Sequence, residues 1–214
     1  MTLLKSIVFG AALSLASGAL AQTVYTDRAA FLAAISNPAT TTFNTITGDI
    51  SVGGGETVEG YTFTGQTQVD SLIDAPVFEY NPVNGVDGTT YFSLGGLGNG
   101  SVFTVGLGGN FTAFGFDTHN YDATNERSEI FIGGLSLGLT PQLRGQTGFL
   151  GFVSSGSSFS SVSIVGRGSD VFNGFDNFTV GAAAAVPEAG SWVLLIAGFG
   201  LVGAAMRRRA HATA

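Results

Sequence analysis

The chain has 214 residues, 44% of them hydrophobic, and no cysteine, which excludes disulfides and thiolate metal sites. Between residues 22 and 185, fourteen Asp and Glu stand against four Arg and no Lys, a net charge of about −10. A surface this acidic repels nucleic acid and anionic lipid headgroups, so nucleic-acid binding is excluded.

The first predicted element is a secretory signal peptide over residues 1–21. Lys5 precedes an apolar stretch over residues 7–20, and Ala19 and Ala21 occupy the small-residue positions before a cleavage site. We expect signal peptidase to release a mature chain that begins at Gln22. Residues 22–181 then form one ectodomain of about 160 residues, long enough to bury a core without disulfides.

One amphipathic helix is predicted near the start of this ectodomain, over residues 27–35. Phe31, Leu32 and Ile35 share one face at helical spacing, and the aspartate that begins the segment is a suitable N-cap. Asn37-Pro38 is expected to end the helix, because the residue before a proline disfavours helical backbone angles.

The remainder of the ectodomain predicts an all-β fold, an antiparallel β-sandwich of jelly-roll type. Short Thr-, Val-, Ile- and Phe-rich segments recur every 8–12 residues or so, and apolar residues alternate over 103–107 and 114–116. Asn-Gly and Asp-Gly dipeptides at 84–85, 87–88, 99–100 and 173–174 predict tight turns. The predicted strands are 24–25, 41–46, 57–64, 66–72, 77–80, 90–94, 101–107, 112–117, 129–132, 135–139, 148–154, 160–165 and 177–180.

The C-terminal end shows three features in a fixed order, after a linker over residues 182–186. Pro187 and Glu188 come first, Trp192 begins an apolar run, and three arginines follow at 207–209. Residues 190–206 contain no ionisable side chain and approach the roughly 20 residues that cross a bilayer. We therefore predict a transmembrane helix over 190–206, with the arginines on the cytoplasmic side.

This order of features resembles the PEP-CTERM sorting signal of exported proteins in Gram-negative bacteria, here over residues 187–209. The residues that carry the resemblance are Pro187, Glu188, Trp192, Arg207, Arg208 and Arg209. The second proline usual in this family is Ala189 here. The resemblance implies processing by the membrane protease exosortase, an intermediate anchored in the inner membrane, and a final location at the cell surface or in the extracellular matrix. An ordinary membrane anchor is the alternative.

Two patterns that resemble enzyme motifs are rejected on context. G-x-G-x-x-G at 198–203 lies inside the apolar run rather than between a strand and a helix, so helix packing is its expected role. G-x-S-x-G at 134–138 centres on Ser136, but that hydrolase order requires a later histidine base. His119 precedes the serine and His211 lies beyond the arginines, so we predict that Ser136 is a solvent-facing strand residue.

Carboxylates and amides offer the best candidate for cation binding, because calcium prefers several oxygen ligands. Acidic residues group between Asp117 and Glu129 and again between Asp170 and Asp176. No EF-hand spacing is present. The candidate calcium ligands are Asp117, Asp122, Asp176 and Asn177.

A second candidate site follows the predicted strand at 112–117. His119, Asn120 and Tyr121 are expected in a polar loop, where an aromatic face and planar hydrogen-bonding groups would suit the rim of a glycan-binding surface. A solvated loop histidine is the simpler alternative, and a lone histidine argues against catalytic zinc.

The sequence thus favours a non-enzymatic, exported β-sandwich, and the family resemblance implies association with exopolysaccharide or biofilm. A secreted hydrolase acting on polysaccharide and a purely structural matrix protein are the competing functions. The hydrolase is disfavoured because no histidine base follows a nucleophile and because Trp192, the only tryptophan, belongs to the sorting signal.

Overall fold

A computed structural model describes residues 22–48, 50–65, 71–74, 86–121, 124–140, 143–184, 194–203 and 206, with the backbone alone over 71–74. The predicted signal peptide at 1–21, the strand at 77–80 and the turn at 84–85 lie outside these residues. Most of the strand predicted at 66–72 does so too.

The described part of the domain consists of one short helix and fourteen strands. The helix α1 is Arg28–Ala33. The strands are β1 Gln22–Tyr25, β2 Ile35–Thr41, β3 Ile50–Ser51, β4 Gly54–Val58, β5 Tyr61–Gly65, β6 Ser71–Asp74, β7 Tyr91–Leu97, β8 Val102–Phe111, β9 Ala113–Asn120, β10 Ser128–Ile132, β11 Leu135–Leu139, β12 Thr147–Ser154, β13 Phe159–Gly166 and β14 Val171–Ala183.

The strands form two antiparallel sheets. The eight-stranded sheet has the order β1-β12-β9-β14-β7-β6-β3, and β2 pairs with β14 beyond the end of β7. The six-stranded sheet has the order β11-β10-β13-β8-β5-β4. The antiparallel β prediction is therefore confirmed.

A phenylalanine-rich core lies between the two sheets. The predicted alternation is confirmed, since Phe103 and Val105 of β8 and Phe114 and Phe116 of β9 all point into it. Phe178 of β14 packs against three other aromatic rings at centroid distances of 5.2–5.5 Å, in the edge-to-face geometry that aromatic pairs prefer. Both sheets contribute to this single cluster, as in a sandwich.

The helix α1 covers the outer face of the eight-stranded sheet, and two glycines allow its close approach. Phe31 is fully buried there against Phe149. A Cβ atom on Gly115 or Gly151 would lie 3.0 Å or less from a ring atom of Phe31 or Phe149. The predicted helix is confirmed with Asp27 as its N-cap, since the Asp27 side chain accepts a hydrogen bond from the Ala30 amide.

Two local predictions near α1 are wrong. Leu32 is 37% exposed, so it does not share the buried face of Phe31 and Ile35. Asn37-Pro38 does not end the helix, which stops at Ala33, but lies in β2 at a bulge opposite Gly181. A bulge on an edge strand tolerates proline, which cannot donate a ladder hydrogen bond.

Predictions further along the chain need three corrections. The strand predicted at 41–46 is not formed, because β2 ends at Thr41. The strand predicted at 57–64 is a hairpin, in which Glu59 and Gly60 turn with positive φ between β4 and β5. Asn173-Gly174 is not a turn but part of β14, where the buried Asn173 side chain accepts hydrogen bonds from Ser128.

Near the C-terminus, β14 continues past the predicted boundary at residue 181, and residues 194–203 form a helix. Among the described residues, no helix combines the length and the apolar character needed to cross a membrane. The predicted span over 190–206 lies partly outside those residues, as 190–193, 204 and 205 are not described.

Candidate functional site

A polar network lies on the outer face of the eight-stranded sheet, at the N-terminus of α1. We call it the Arg28 network, and it comprises Arg28, Asp87, Thr89, Asp117, Asp176, Asn177 and Thr179. Its members come from α1, from the segment before β7, from β9 and from β14. Residues that are far apart in sequence therefore meet at one place on the sheet.

A bulge in β14 places the centre of this network. The pairing of β14 with β9 shifts register between Asp176 and Thr179, and Asn177 takes the left-handed φ of 53° that asparagine tolerates. Its side-chain amide donates to Asp117 Oδ2 at 2.9 Å and to Asp87 Oδ2 at 3.2 Å. One amide thus joins two carboxylates.

Arg28 supplies the positive charge of the network. Its Nη2 lies 2.9 Å from Asp117 Oδ2, and its Nε donates to the other oxygen of the same carboxylate. The guanidinium also donates to Thr179 Oγ1 and to the backbone carbonyl of Asn177, both at 3.1 Å. It lies 4.8 Å from the centre of the Phe149 ring. Arg28 therefore ties α1 to both β9 and β14.

Asp176 is the buried carboxylate of the network. It is 0% exposed, and it accepts hydrogen bonds from the backbone amide of Asn177 and from Thr89 Oγ1. Burial raises the pKa of Asp176 to about 7, and the nearby charges of Asp87 and Asp117 act in the same direction. Burial would also raise the pKa of Asp87, but hydrogen bonds from Thr89 and Asn177 outweigh it and lower that pKa.

The network brings together three of the four predicted calcium ligands, Asp117, Asp176 and Asn177; Asp122 lies outside the described residues. The donor set does not fit calcium, because Arg28 already places a cation against Asp117 and the Asn177 amide donates to that carboxylate. Among the described residues, no group of three or more acidic or histidine side chains is arranged to hold a metal ion.

The other acidic residues lie elsewhere. Hydrogen bonds from the backbone amides of Ser169 and Asp170, followed by one from Ser169 Oγ, lower the pKa of Glu126. Glu129 pairs with Arg167 on the outer face of the six-stranded sheet. The acidic grouping predicted between Asp117 and Glu129 is thus divided between different parts of the domain.

Sequence reasoning missed Arg28 and Asp87 as members of the site. Asp87 had a visible signal only as the first residue of an Asp-Gly turn, and Arg28 only as part of a helix start. Nothing in the spacing relates these two residues to Asp117, because α1 and the segment before β7 reach β9 only in the folded domain.

The predicted polar loop at 119–121 is not formed, and that prediction is wrong. His119 and Asn120 belong to β9 and are 2% and 0% exposed. His119 Nδ1 lies 2.9 Å from Thr147 Oγ1, its ring lies 4.5 Å from that of Tyr121, and burial lowers its pKa. His119 and Asn120 offer almost no accessible surface to a polymer and Tyr121 is half-buried, so we do not propose a glycan rim there.

Ser136 lies where the sequence predicts it, exposed in β11, and its hydroxyl donates to Glu129. The pattern at 198–203 lies within a helix, which agrees with its rejection as a dinucleotide motif. Neither motif therefore provides a catalytic centre in the described part of the chain.

The fold is that of an antiparallel β-sandwich domain, and its last described strand, β14, is followed directly by a C-terminal tail. Residues 185–209 match the family model of the PEP-CTERM protein-sorting motif. The chain therefore carries this motif, which indicates an exported protein that is targeted to exosortase. No curated protein matches the chain. The described residues do not include the residues of the sorting motif named above, which are Pro187, Glu188, Trp192, Arg207, Arg208 and Arg209.

Proposed function

We propose that the chain is a non-enzymatic surface or extracellular-matrix protein, of jelly-roll type, whose C-terminal tail exosortase removes after export. The observation that carries this proposal is the position of the sorting motif, which begins at residue 185 while β14 ends at Ala183. The motif follows a folded domain with almost no spacer. A protein built in this way delivers one domain to the outer side of the membrane.

The apolar character of the tail supports a membrane-anchored intermediate. Leu194, Phe199 and Leu201 lie in the helix over 194–203, and each is more than 70% exposed. Large apolar side chains that no part of the described domain covers favour a lipid environment. The tail would hold the protein in the inner membrane until cleavage releases it.

The arrangement of the ectodomain supports a binding or structural role. Among the carboxyl groups of the described residues, Asp176 has the most perturbed pKa, and it is fully buried within the Arg28 network. A general acid must contact its substrate, which a sealed carboxyl cannot do. We propose association with exopolysaccharide or biofilm as the role after release, and a purely structural matrix role as the alternative.

The processing step is tested by expressing the chain in a host that has exosortase and in one that lacks it. We expect the intact mass of the protein to fall, and the protein to leave the membrane fraction, only in the first host. Replacing Pro187 and Glu188 with alanine should leave the protein inserted but uncleaved, whereas replacing the three arginines with glutamine should weaken its retention. An intact tail in both hosts would overturn the proposal in favour of a plain anchor.

The binding step is tested with the purified, released domain on a glycan array, with and without calcium. Binding to an acidic or neutral polysaccharide supports the exopolysaccharide role, and no binding favours the structural alternative.

A secreted hydrolase is the competing function, and it would require Asp176, which has a pKa of about 7 and lies beside two other carboxylates, to become accessible to substrate. Polysaccharide cleavage that is lost in Asp176→Asn would establish this competing function.

A further inference from the structure

The two ends of the sandwich differ in charge, and the tail leaves from one of them. β14 ends at Ala183, beside the turn between β8 and β9 and the turn between β12 and β13. Gln22, the first residue of β1, lies at this same end because it pairs with Ser154. We call this region the neutral end and define it by residues 22, 34–36, 110–113, 154–158 and 182–184.

The neutral end contains no ionisable side chain within this definition. Among the described residues, Glu59 lies close to this end, in the hairpin turn between β4 and β5, whose Gly60 approaches Gly108. A mature chain that starts at Gln22 would add a positive α-amino group here.

The opposite end carries charges in each of three neighbouring connections. We call it the charged end and define it by residues 98–101, 124–128, 143–146 and 166–170, which lead into or out of the other ends of β8, β10, β12, β13 and β14. Its charged residues are Glu126, Arg127, Arg144, Arg167 and Asp170. β14 has thirteen residues, so the two ends are separated by roughly 40 Å.

The tail is held tightly at the neutral end. The Ala183 amide donates to Thr112 Oγ1 at 2.7 Å, and the Ala184 amide donates to the Ala34 carbonyl at 3.0 Å. From Ala184 to the predicted start of the membrane span at residue 190 there are six residue steps, which cover at most about 20 Å. A tether of that length does not allow the charged end, about 40 Å away, to turn toward the bilayer.

Resting on the proposed function, which places the tail in the membrane, we propose that the neutral end lies against the lipid headgroups of the bilayer. Two observations converge on this surface: the exit point of the chain and the absence of ionisable side chains from the residues that define it. An acidic domain is repelled by anionic headgroups, and a facing surface whose defining residues carry no carboxylate adds nothing to this repulsion. The charges at the far end lie well beyond a Debye length of about 10 Å.

The chain has no cysteine, so single cysteines can report the distance of each end from the lipid. Ser158→Cys labels the neutral end and Asn99→Cys labels the charged end; both positions are exposed, uncharged and in turns between strands. Asn110→Cys is a second, exposed neutral-end position if Ser158→Cys does not fold. Each full-length protein, made in a host without exosortase, is labelled with a fluorophore and incorporated into vesicles containing about 30% phosphatidylglycerol. The quencher is a nitroxide on the lipid headgroup.

We expect the label at Ser158 or Asn110 to be quenched at least about twice as strongly as the label at Asn99, given the roughly 40 Å between the ends. Equal quenching at both ends, or stronger quenching at Asn99, would overturn the inference.

Flotation of the same vesicles separates this failure from that of the proposed function. Protein that does not float with lipid shows that the tail does not insert, which overturns the membrane intermediate itself. Protein that floats with equal quenching at both ends overturns only the orientation.

Discussion

The outer faces of the two sheets each carry one arginine–carboxylate pair, and the comparison separates two kinds of ion pair. Arg28 binds Asp117 on the eight-stranded sheet, and Arg167 binds Glu129 on the six-stranded sheet. The two pairs are similarly exposed, with side-chain exposures of 27% and 21% in the first and 39% and 21% in the second. Each arginine also lies within 6 Å of a phenylalanine ring centre.

The surroundings of the pairs differ more than the pairs themselves. Arg28 also satisfies Thr179 and the Asn177 carbonyl, and its network covers the fully buried Asp176. The bonds described for the Arg167 side chain go to Glu129 on a neighbouring strand. An exposed ion pair alone stabilises a protein little. Arg28 therefore contributes to stability mainly by joining α1 to β9 and β14.

The largest difference between the two faces is expected at the phenylalanines. Phe31→Ala removes the fully buried ring that packs α1 over Gly115 and Gly151, and it should lower the free energy of unfolding by about 3–5 kcal/mol. Phe131→Ala on the other face is the matched control, and because that ring is only half-buried it should cost about 1–2 kcal/mol. Urea unfolding of the ectodomain measures the free energy of unfolding of both variants. Equal losses would contradict the view that α1 covers one sheet face while the other face is open to solvent.

The next effect is expected at the arginines. Arg28→Ala leaves Asp117 without its cation and removes three donated hydrogen bonds from the network, so we expect a loss of about 2–3 kcal/mol. Arg167→Ala should cost less than about 0.5 kcal/mol. Arg144→Ala, an exposed arginine at the charged end, controls for the loss of a positive charge from an acidic domain. If Arg28→Ala matches either control, the network contributes nothing beyond a surface ion pair.

A third test measures how the stability of the protein depends on pH through the buried Asp176. Because the folded pKa of Asp176 lies at about 7, above its ordinary value of 3.8, the folded state binds the extra proton. Asp176 therefore costs stability progressively as pH rises from about 4 to about 7, and the full cost remains above that range. Asp176→Asn should remove this dependence and stabilise the protein at pH 8 by on the order of 2 kcal/mol. Parallel stability–pH curves for the variant and the wild type would refute the assignment.

The smallest effect, with the opposite sign, is expected on the open face. A hydrogen bond from Ser136, followed by Arg167, lowers the pKa of Glu129 below 4.5. Its contribution to stability is present above that pH and is lost as pH falls through the lowered value. Glu129→Gln should thus slightly destabilise the protein at neutral pH and converge with wild type in acid, as thermal melts from pH 3 to 8 would reveal. If the stabilities of the variant and the wild type converged at high pH instead, the predicted stabilising effect of the Glu129 carboxylate would be wrong.

The strands of the core were largely predictable because the apolar residues that they bury between the two sheets recur at every second position. Alternation at Phe103 and Val105 and at Phe114 and Phe116 reports that burial directly, and a cap with a short apolar face was enough for α1. The sorting motif was predictable for a different reason. Its features follow one another in the chain and need no tertiary contact to be seen.

The polar parts of the sheet were not predictable from local pattern. A loop was predicted at His119 and Asn120 because these residues are polar. Both are instead buried within β9, where the Asn120 side chain donates a hydrogen bond to the Glu126 carbonyl. Asn173 reads as a turn residue for the same reason. In each case hydrogen bonds to a partner outside the strand offset the cost of burial, and the local pattern of polar residues does not reveal them.

The position of β14 also determines when this domain can fold. β14 is the last strand in the chain, yet it pairs with β9, β7 and β2, so the eight-stranded sheet stays open until residues 171–183 are available. A chain that leaves an export channel with its N-terminus first cannot close this sheet early, and contacts so distant in sequence form slowly. A chain exported in this order would therefore complete the eight-stranded sheet only near the end of its passage. Because the sorting motif begins at residue 185, directly after β14, completion of the sheet would coincide with the arrival of the sorting motif at the membrane.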